Sequence, residues 1–514
     1  MWKLSYTGHP FFDVGLAAIT AYADQDDPAE LIEEDLEKAA EYIENYYTEQ
    51  PLSSFLTVSL MNSDFTQPAF KDNNKRKLDY ARRVARSFGA DVPISDEVCV
   101  FTGQPALGLP LSLKEGKDAL PPGRAFRQHI PLITGEGVIN FSPVGDPGLP
   151  VSGVALLCLQ FFPMGCQKCG GRLLAVHSDN PDIIRDFAND ALQKNMRMIS
   201  EARLTKASKL PEAPLSAHSL LISMLLDLSQ YQRYERKWRR PFSITAYHLT
   251  NSGQSSPLDA KSPPLAIYHL PMDIIQFLRM LKSPEYQVAW EAIVERGWER
   301  SKLSKSTNTA EGEVRSENQR NERRRNFVYE DLFRLPEQSR RFLRTYLLRT
   351  PGRNAASTDP RQNYSPRYEV SLVSWHLTEL FLREVMHMNK QRIEEIRLLG
   401  DRLAAYVKAQ DDQRFFRSLY KAKWAEELRR LLIRANNWQA GAGKGPLLGL
   451  DNYCTVFFEE DGETLQPDWK LARDLILIRM TEWLYTNTDQ WLEKHPEALP
   501  EDKELDSASA EHEE

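Results

Sequence analysis

The sequence has few cysteines and no apolar run long enough to span a membrane. Its 514 residues contain no stretch of about 18 consecutive apolar residues, and the first residues have no apolar core of signal-peptide length. The five cysteines are too few, and an odd number, for a disulfide framework in so long a chain. We therefore expect a cytoplasmic protein in a reducing compartment, with no membrane partner.

Motifs of catalytic centres are also missing. The ten histidines stand singly, without an HExxH or HxxxH pair, and the sequence has no Walker loop, no GxSxG turn and no clustered Asp and Glu with metal-ligand spacing. The motif search thus predicts that the protein is not an enzyme. Two alternatives stay open: a metal-dependent nuclease or nucleotidyltransferase whose carboxylates meet only in the fold, and a zinc-knuckle scaffold that binds only protein.

The charge balance argues against a surface that is basic throughout. The formal net charge is −7 and the sequence pI is about 5.9, which does not fit a protein that wraps duplex DNA through a uniformly basic face. Any contact with nucleic acid must therefore be local. Charged residues at 27%, together with only 25 glycines, favour a largely helical chain.

Length and composition predict a multidomain α+β protein. A chain of 514 residues is too long for one ordinary domain, and its texture changes along the sequence. The expected parts are a mixed α+β N-terminal domain (1–300) with a β-rich, zinc-knuckle-like insert (92–177), a polar linker with an Arg-rich segment (301–366), a C-terminal helical bundle (367–496) and an acidic, disordered tail (497–514).

Periodicity locates the main elements. In the N-terminal domain helices are predicted at 26–50, 73–88, 182–207 and 219–240, and a strand at 242–248. In the bundle, apolar residues from Leu372 to Val407 follow one heptad frame, which predicts a single long helix. Further helices are predicted over 414–434 and within 468–494.

One pair of cysteines has the spacing of a zinc knuckle. In Cys166-Gln-Lys-Cys169-Gly-Gly, two thiolates could share a tetrahedral ion while the glycines let the backbone turn around them. A second pair is needed to close such a site, and the nearest candidate supplies only Cys99, since Thr102 stands where a second cysteine is wanted. Zinc held by the three cysteines is one interpretation. The other is three thiols packed in a core as small apolar side chains.

Between these cysteines lie candidate DNA ligands in glycine-rich loops. Arg, Gln and Asn have paired hydrogen-bonding groups that match base edges, and glycine permits close approach of the backbone to nucleic acid. The candidates are Arg124, Arg127, Gln128 and Asn140. Ordinary tight turns of an α+β domain use the same residue types and are the alternative.

A second candidate surface is rich in arginine. Residues 315–353 hold eleven arginines, no lysine and five acids, which gives a net charge of +6 inside an acidic protein. Aromatic residues are interleaved with these arginines, as on surfaces that follow a nucleic-acid backbone. The candidates are Arg324, Arg341 and Arg344, together with Arg417 and Lys421 on a common helix face of the bundle. Solvated helix faces are the alternative.

Six short stretches of the chain are similar to stretches that occur in the same order in a known protein family. They are 7–15 (TGHPFFDVG), 99–105 (CVFTGQP), 126–140 (FRQHIPLITGEGVIN), 148–153 (GLPVSG), 163–177 (PMGCQKCGGRLLAVH) and 247–253 (YHLTNSG). In this order they resemble the CXXC-CXXC large-subunit family of type I-B CRISPR effector complexes. The chain departs from the family at Thr102, where the second cysteine of the first pair is expected, so one thiolate of a four-thiolate zinc site is missing.

The resemblance implies a non-enzymatic subunit of an RNA-guided surveillance complex for antiviral defence, in contact with the crRNA and the backbone-forming CRISPR subunits. Its N-terminal part would read the protospacer-adjacent motif (PAM) of double-stranded target DNA. Its bundle would be similar to the small subunit that supports the displaced strand of the R-loop. A recruited helicase-nuclease would cleave the DNA. In those relatives that serve transposons, transposition proteins would be recruited instead.

The resemblance also implies that the small subunit is made from an internal start of the same gene. Met386 and Met388 are the only methionines between residue 366 and Met480. A start at either would leave a chain of ordinary domain size. On the heptad interpretation, such a start would cut through the long helix.

Overall fold

A computed structural model of the chain describes residues 3–113, 120–133, 147–235, 240–251, 263–300, 324–352, 357–443, 445–457, 469–487 and 491–500. The chain divides into two compact units, with the boundary between Met272 and Asp273. The strands that form sheets lie in the first unit, and helices occur in both. This confirms the prediction of a multidomain α+β protein.

The helices of the N-terminal unit largely follow the predicted pattern. They are α1 (Pro10–Tyr22), α2 (Glu33–Tyr46), α3 (Leu52–Leu56), α4 (Asn74–Ala85), α5 (Gly153–Phe161), α6 (Pro181–Thr205) and α7 (Ala217–Glu235). Caps fix the starts of α4 and α6, because the Asn73 side chain accepts from the amide of Arg76 and that of Asn180 from Asp182. The helices predicted at 73–88, 182–207 and 219–240 are thereby confirmed.

The strands of this unit pair antiparallel. They are β1 (Ile94–Val98), β2 (Pro105–Leu107), β3 (Arg124–Ala125), β4 (Leu149–Pro150), β5 (Gln167–Cys169), β6 (Arg172–Ser178), β7 (Ile244–Leu249) and β8 (Leu265–Leu270). Strands β1 and β2 form one small sheet, β3 and β4 another, and the largest sheet has the order β5-β6-β7-β8. Strand β7 confirms the prediction at 242–248.

Helix α5 corrects the expectation of irregular β-rich structure throughout 92–177. All nine of its residues are buried, and α1, α2 and α4 pack around it. A helix that is apolar on every side has no 3.6-residue period, so its sequence cannot be distinguished from a buried strand by pattern alone.

Helix α1 lies at the centre of the N-terminal unit. Its residues from Phe11 to Thr20 are all buried, and it packs against α5, α6 and β6. The crossing with α5 is close at Gly15, where a Cβ atom would lie 2.0 Å from the carbonyl oxygen of Cys158. Only glycine fits at this crossing.

The C-terminal unit is built from helices. They are α8 (Met272–Met280), α9 (Pro284–Arg296), α10 (Phe327–Leu332), α11 (Ser339–Phe342), α12 (Trp375–Glu384), α13 (Lys390–Gln410), α14 (Gln413–Lys421), α15 (Ala425–Gly441), α16 (Leu450–Phe457), α17 (Trp469–Thr486) and α18 (Trp491–Lys494). Helix α13 packs mainly on α17 and α16, and α14 on α15 and α17.

The prediction of one continuous helix over 372–407 is wrong, because two helices share that heptad frame. Helix α12 ends at Glu384, and α13 starts at Lys390 after Asn389, whose side chain accepts from the amide of Gln391. His387 between them has φ +49, a left-handed conformation that no continuing helix allows. The helix predicted over 414–434 is likewise two, α14 and α15.

Part of the segment interpreted as a linker packs into the C-terminal unit. Arg349 is fully buried and stacks on the ring of Tyr364, with 4.0 Å from guanidinium carbon to ring centroid. Its Nη2 lies 2.9 Å from a carboxylate oxygen of Glu369. Residues 301–323 and the tail from 501 onward, both expected to be disordered, lie outside the described residues. Among the residues that are described, no helix combines the length and the apolar character needed to cross a bilayer.

Candidate nucleic-acid interface

The three cysteines considered as zinc ligands do not come together as a metal site. The buried Cys166 thiol donates to the carbonyl oxygen of Phe162 at 3.2 Å, and Cys169 donates to that of Leu215 at 3.2 Å. No group of three or more His, Cys, Asp or Glu side chains that could hold a metal occurs in the described part of the chain, which includes Cys99. The residues therefore do not fit a zinc ion.

Burial keeps the Cys166 thiol protonated, so that it packs as an apolar group. It raises the pKa of Cys166 well above its ordinary value, whereas zinc binding requires a thiolate. The two glycines that follow Cys169 have a separate use. Gly170 and Gly171 have φ +72 and +67 and form the two-residue connection between β5 and β6, where turns need positive φ.

Arg124 is inside the protein. Its side chain lies on β3, is nearly buried, donates to the carbonyl oxygen of Gly148 at 3.2 Å and forms an ion pair with Glu97. The guanidinium thus ties β3 to the loop before β4 and to β1. In this conformation it does not face a ligand.

Arg127 lies three residues further on and is partly exposed. Its Nε donates to Oδ1 of Asn251 at 3.3 Å, and its Nη2 donates to the carbonyl oxygen of the same residue at 2.9 Å. These bonds join positions 124 residues apart in the sequence. They use two of the five N–H groups of a guanidinium and fix its plane, so the remaining donors have a defined direction.

Asn251 joins its own segment to two others of the N-terminal unit, residues 58–59 and the 126–133 loop. It is 4% exposed, its Nδ2 donates to the carbonyl oxygens of Ser59 (3.0 Å) and Arg127 (3.1 Å), and its backbone N–H donates to the carbonyl oxygen of Val58 (2.6 Å). Its Oδ1 also accepts from the amide of Leu132 at 3.4 Å. Residues 134–146 and 252–262, which are outside the described part, begin next to this junction in the sequence.

The sequence alone did not single out Asn251 as a residue of the candidate interface. The available signal was its place in the 247–253 stretch of the family resemblance. The structure brings that stretch to the 126–133 loop. Gln128 lies in the same loop and is partly exposed, and Asn140 falls outside the described residues.

Several charges of the arginine-rich segment are paired with carboxylates, and one is buried. Arg325 forms two hydrogen bonds with Glu330, at 2.8 and 2.5 Å, and Arg334 lies 3.4 Å from Asp331. Arg349 is buried, as described above. Arg324 is exposed and lies over the ring of Trp298, at 4.9 Å from the centroid. Arg341 is exposed as well.

Arg344 is half-exposed and connects this segment to the bundle. Its Nε lies 3.5 Å from a carboxylate oxygen of Asp474. The same carboxylate accepts from Arg473, which also donates to the carbonyl oxygen of Ala422 in the connection between α14 and α15. These contacts connect Arg344 through α17 to the C-terminal end of α14, the helix that carries Arg417 and Lys421.

Helices α14 and α15 present cations around a buried apolar stripe. Phe415, Phe416, Leu419 and Tyr420 of α14 are buried. On its outer side Arg414 and Lys421 are exposed and Arg417 is partly exposed. The α14–α15 connection adds the exposed Lys423 and Trp424, the latter 65% exposed. Cations with an exposed aromatic ring are the components of a surface that follows a nucleic-acid backbone and stacks on bases.

Comparison with protein-family models, with curated protein sequences and with solved structures gave no match for this chain.

Proposed function

We propose that this chain is the large subunit of an RNA-guided type I-B CRISPR surveillance complex, a cytoplasmic component that binds nucleic acid and has no catalytic activity. Its tasks would be recognition of the PAM, target DNA binding and stabilisation of the R-loop. Cleavage or transposition would be carried out by recruited partners. The proposal extends the family resemblance of the sequence.

The observation that carries the proposal is the pair formed by Arg127 and Asn251. Two stretches of the resemblance, far apart in the sequence, meet at this pair. Bidentate Arg contacts to guanine read double-stranded DNA in the major groove, and they require a guanidinium held in one plane. A partly exposed Arg127, fixed by a buried amide at the start of a glycine-rich segment, meets that requirement.

The exposed cations of the C-terminal unit support backbone contact. Arg324 carries positive charge to the surface over the ring of Trp298, Arg341 is exposed, and Arg417 and Lys421 lie on the outer side of α14. In RNA-guided systems base pairing reads the target sequence, while protein reads the short motif and the backbone. Partners would be the crRNA, the backbone subunits, double-stranded target DNA and the small subunit.

The test is reconstitution with crRNA and backbone subunits, followed by DNA binding across a library of flanking motifs at several salt concentrations. We expect Arg127→Ala or Gln128→Ala to reduce discrimination between motifs by about 1–3 kcal/mol, because a bidentate base contact is lost. Arg341→Ala or Arg324→Ala should weaken binding to all motifs equally and lower the salt slope, because each removes a phosphate contact.

Three results would contradict the proposal. If the complex with Arg127→Ala kept its full preference among PAM sequences, this loop would not be the part that recognises the PAM. Metal-dependent cleavage of DNA by the purified chain alone would favour a nuclease, and absence of salt-sensitive DNA affinity in the assembled complex would favour a protein-only scaffold.

A further inference from the structure

A cleft of about 540 Å³ opens in the C-terminal unit where α13, α14 and α15 meet. It is lined by Tyr406, Gln410, Asp411, Asp412, Gln413, Arg414, Arg434 and Trp438. Its volume is in the range of about 300–1,000 Å³ that is common for small-molecule sites. We propose that this cleft receives one unstacked base of a single-stranded nucleic acid that runs along α14. The inference rests on the proposed function and gives it a specific site.

The wall of the cleft is aromatic and fixed. The rings of Tyr406 and Trp438 meet edge to face with centroids 5.2 Å apart, and Phe415 packs on the other side of Tyr406 at 5.0 Å. The Tyr406 hydroxyl donates to Asp412 at 3.2 Å. Trp438 is partly exposed, so its indole can contact a ligand. Aromatic side chains of this kind are the platforms on which single-stranded bases stack.

The charges at the cleft are arranged for a base and its phosphate. Asp412 is neutralised inside the protein, because it forms an ion pair with Arg434 and accepts from the amide of Phe415 at 2.9 Å. Arg414 is exposed at the rim and is also the first cation of the outer side of α14. A phosphate bound to Arg414 would place its nucleoside at the mouth of the cleft.

Asp411 gives the cleft a preference among bases. Its Oδ1 accepts from Trp491 Nε1 at 3.0 Å and lies 3.4 Å from His495 Nε2, while no described residue is found on Oδ2. The side chain is 62% exposed. A carboxylate oxygen accepts from the exocyclic amino groups of cytosine, adenine and guanine, whereas thymine has no such group. The cleft should therefore prefer these three bases to thymine.

The experiment measures binding of the full-length chain to three labelled strands of equal length by fluorescence anisotropy. One strand is oligo-dC, the second oligo-dT, and the third has the same phosphodiester chain without bases. We expect oligo-dC to bind about five- to ten-fold more tightly than the abasic strand and more tightly than oligo-dT, in keeping with the usual strength of base stacking on aromatic side chains. Trp438→Leu should reduce the advantage over the abasic strand to near one.

Two control variants separate ring stacking from folding and from charge. Trp438→Phe keeps an aromatic face and should retain most of the preference for bases. Arg430→Gln removes a cation of α15 that is 74% exposed, pairs with Glu426 and does not line the cleft. It should lower the affinity for all three strands without changing their ratios.

Photocrosslinking gives a readout that does not depend on how well a variant folds. With 5-iodo-deoxycytidine in the strand, the crosslinked peptide should contain Trp438 or Tyr406. Equal, salt-sensitive binding of all three strands, or crosslinks confined to other peptides, would refute base binding in the cleft but would not contradict the proposed function. If none of the three strands binds, base binding in the cleft is refuted and the result also counts against the proposed function.

Discussion

At the scale of the residue, Asp13 is a buried carboxylate whose oxygens are occupied by donors. It accepts from the amides of Thr7 at 2.7 Å and Gly8 at 2.9 Å, from the Thr7 hydroxyl at 3.2 Å, and it lies 2.9 Å from Nε2 of His177 on β6. Burial of a carboxylate is costly unless such partners are present. Asp13 therefore ties the segment before α1 to the largest sheet.

We expect Asp13→Ala to lower the free energy of unfolding by about 3–5 kcal/mol, because the buried partners lose their acceptor. Asp13→Asn retains one acceptor oxygen and should cost less. The matched control is Asp190→Ala, which removes a surface pair with Lys194 and should cost less than about 1 kcal/mol. Urea denaturation followed by circular dichroism measures all three, and equal losses for Asp13→Ala and Asp190→Ala would refute the assignment.

The cysteines give a second prediction at this scale. Because Cys166 and Cys169 donate to carbonyl oxygens, and the described part of the chain has no group of three or more side chains that could hold a metal, EDTA should leave the melting temperature of the purified chain unchanged. Elemental analysis should find the same zinc content in the wild type and in Cys169→Ser. One equivalent of zinc that disappears in this variant would show that the thiols do hold a metal.

At the scale of the element, the crossing of α1 and α5 depends on Gly15. A Cβ atom there would lie 2.0 Å from a backbone carbonyl oxygen of α5, and backbone cannot rotate away as a side chain can. At Gly153, the first residue of α5, a Cβ atom would lie even closer to a backbone oxygen, 1.5 Å from the carbonyl oxygen of Ser87. Two glycines thus set how closely α5 sits in the core.

Gly15→Ala should destabilise the protein by about 1–3 kcal/mol or more, since the helices must separate to admit the methyl group. Gly89→Ala is the control, because a Cβ atom at Gly89 has no neighbour within 4 Å. Thermal unfolding of the two variants compares them directly. A melting temperature of Gly15→Ala as high as that of Gly89→Ala would show that the crossing adjusts without cost.

At the scale of the whole molecule, the break between α12 and α13 changes the expectation for an internal start. Met386 and Met388 lie in this break, and α13 to α18 all follow it. A start at either methionine leaves those helices whole and, of the α-helices in the predicted bundle (367–496), removes only α12, which packs on α13 and α17. The fragment would expose that contact surface and should be stable chiefly in the complex.

Mass spectrometry of the complex expressed from the native gene should therefore find a second polypeptide that begins at Met386 or Met388. From Met388 it would have 127 residues, as 514 − 388 + 1 gives. Replacement of both methionines by Leu should remove the fragment and keep the full-length chain. Full DNA binding by a complex without any fragment would rule the idea out.

Local pattern determined those features of this protein that depend on neighbours in the sequence. The periodicity of 182–207 and the cap at Asn180 were sufficient for α6, and alternation was sufficient for β7. The glycines after Cys169 indicated a turn, but not that this turn connects strands β5 and β6. In each case the relevant interactions span a few residues, so the sequence contains them directly.

Only the tertiary structure decided the features that depend on distant contacts. It paired Arg127 with Asn251, buried Arg124 and Arg349, and placed Arg344 beside Asp474. It also made α5 a helix, because burial on every side removes the period that distinguishes a helix from a strand. Charge and composition count an arginine in the same way whether it is exposed or buried beside a carboxylate, and that difference is set by which segments the fold brings together.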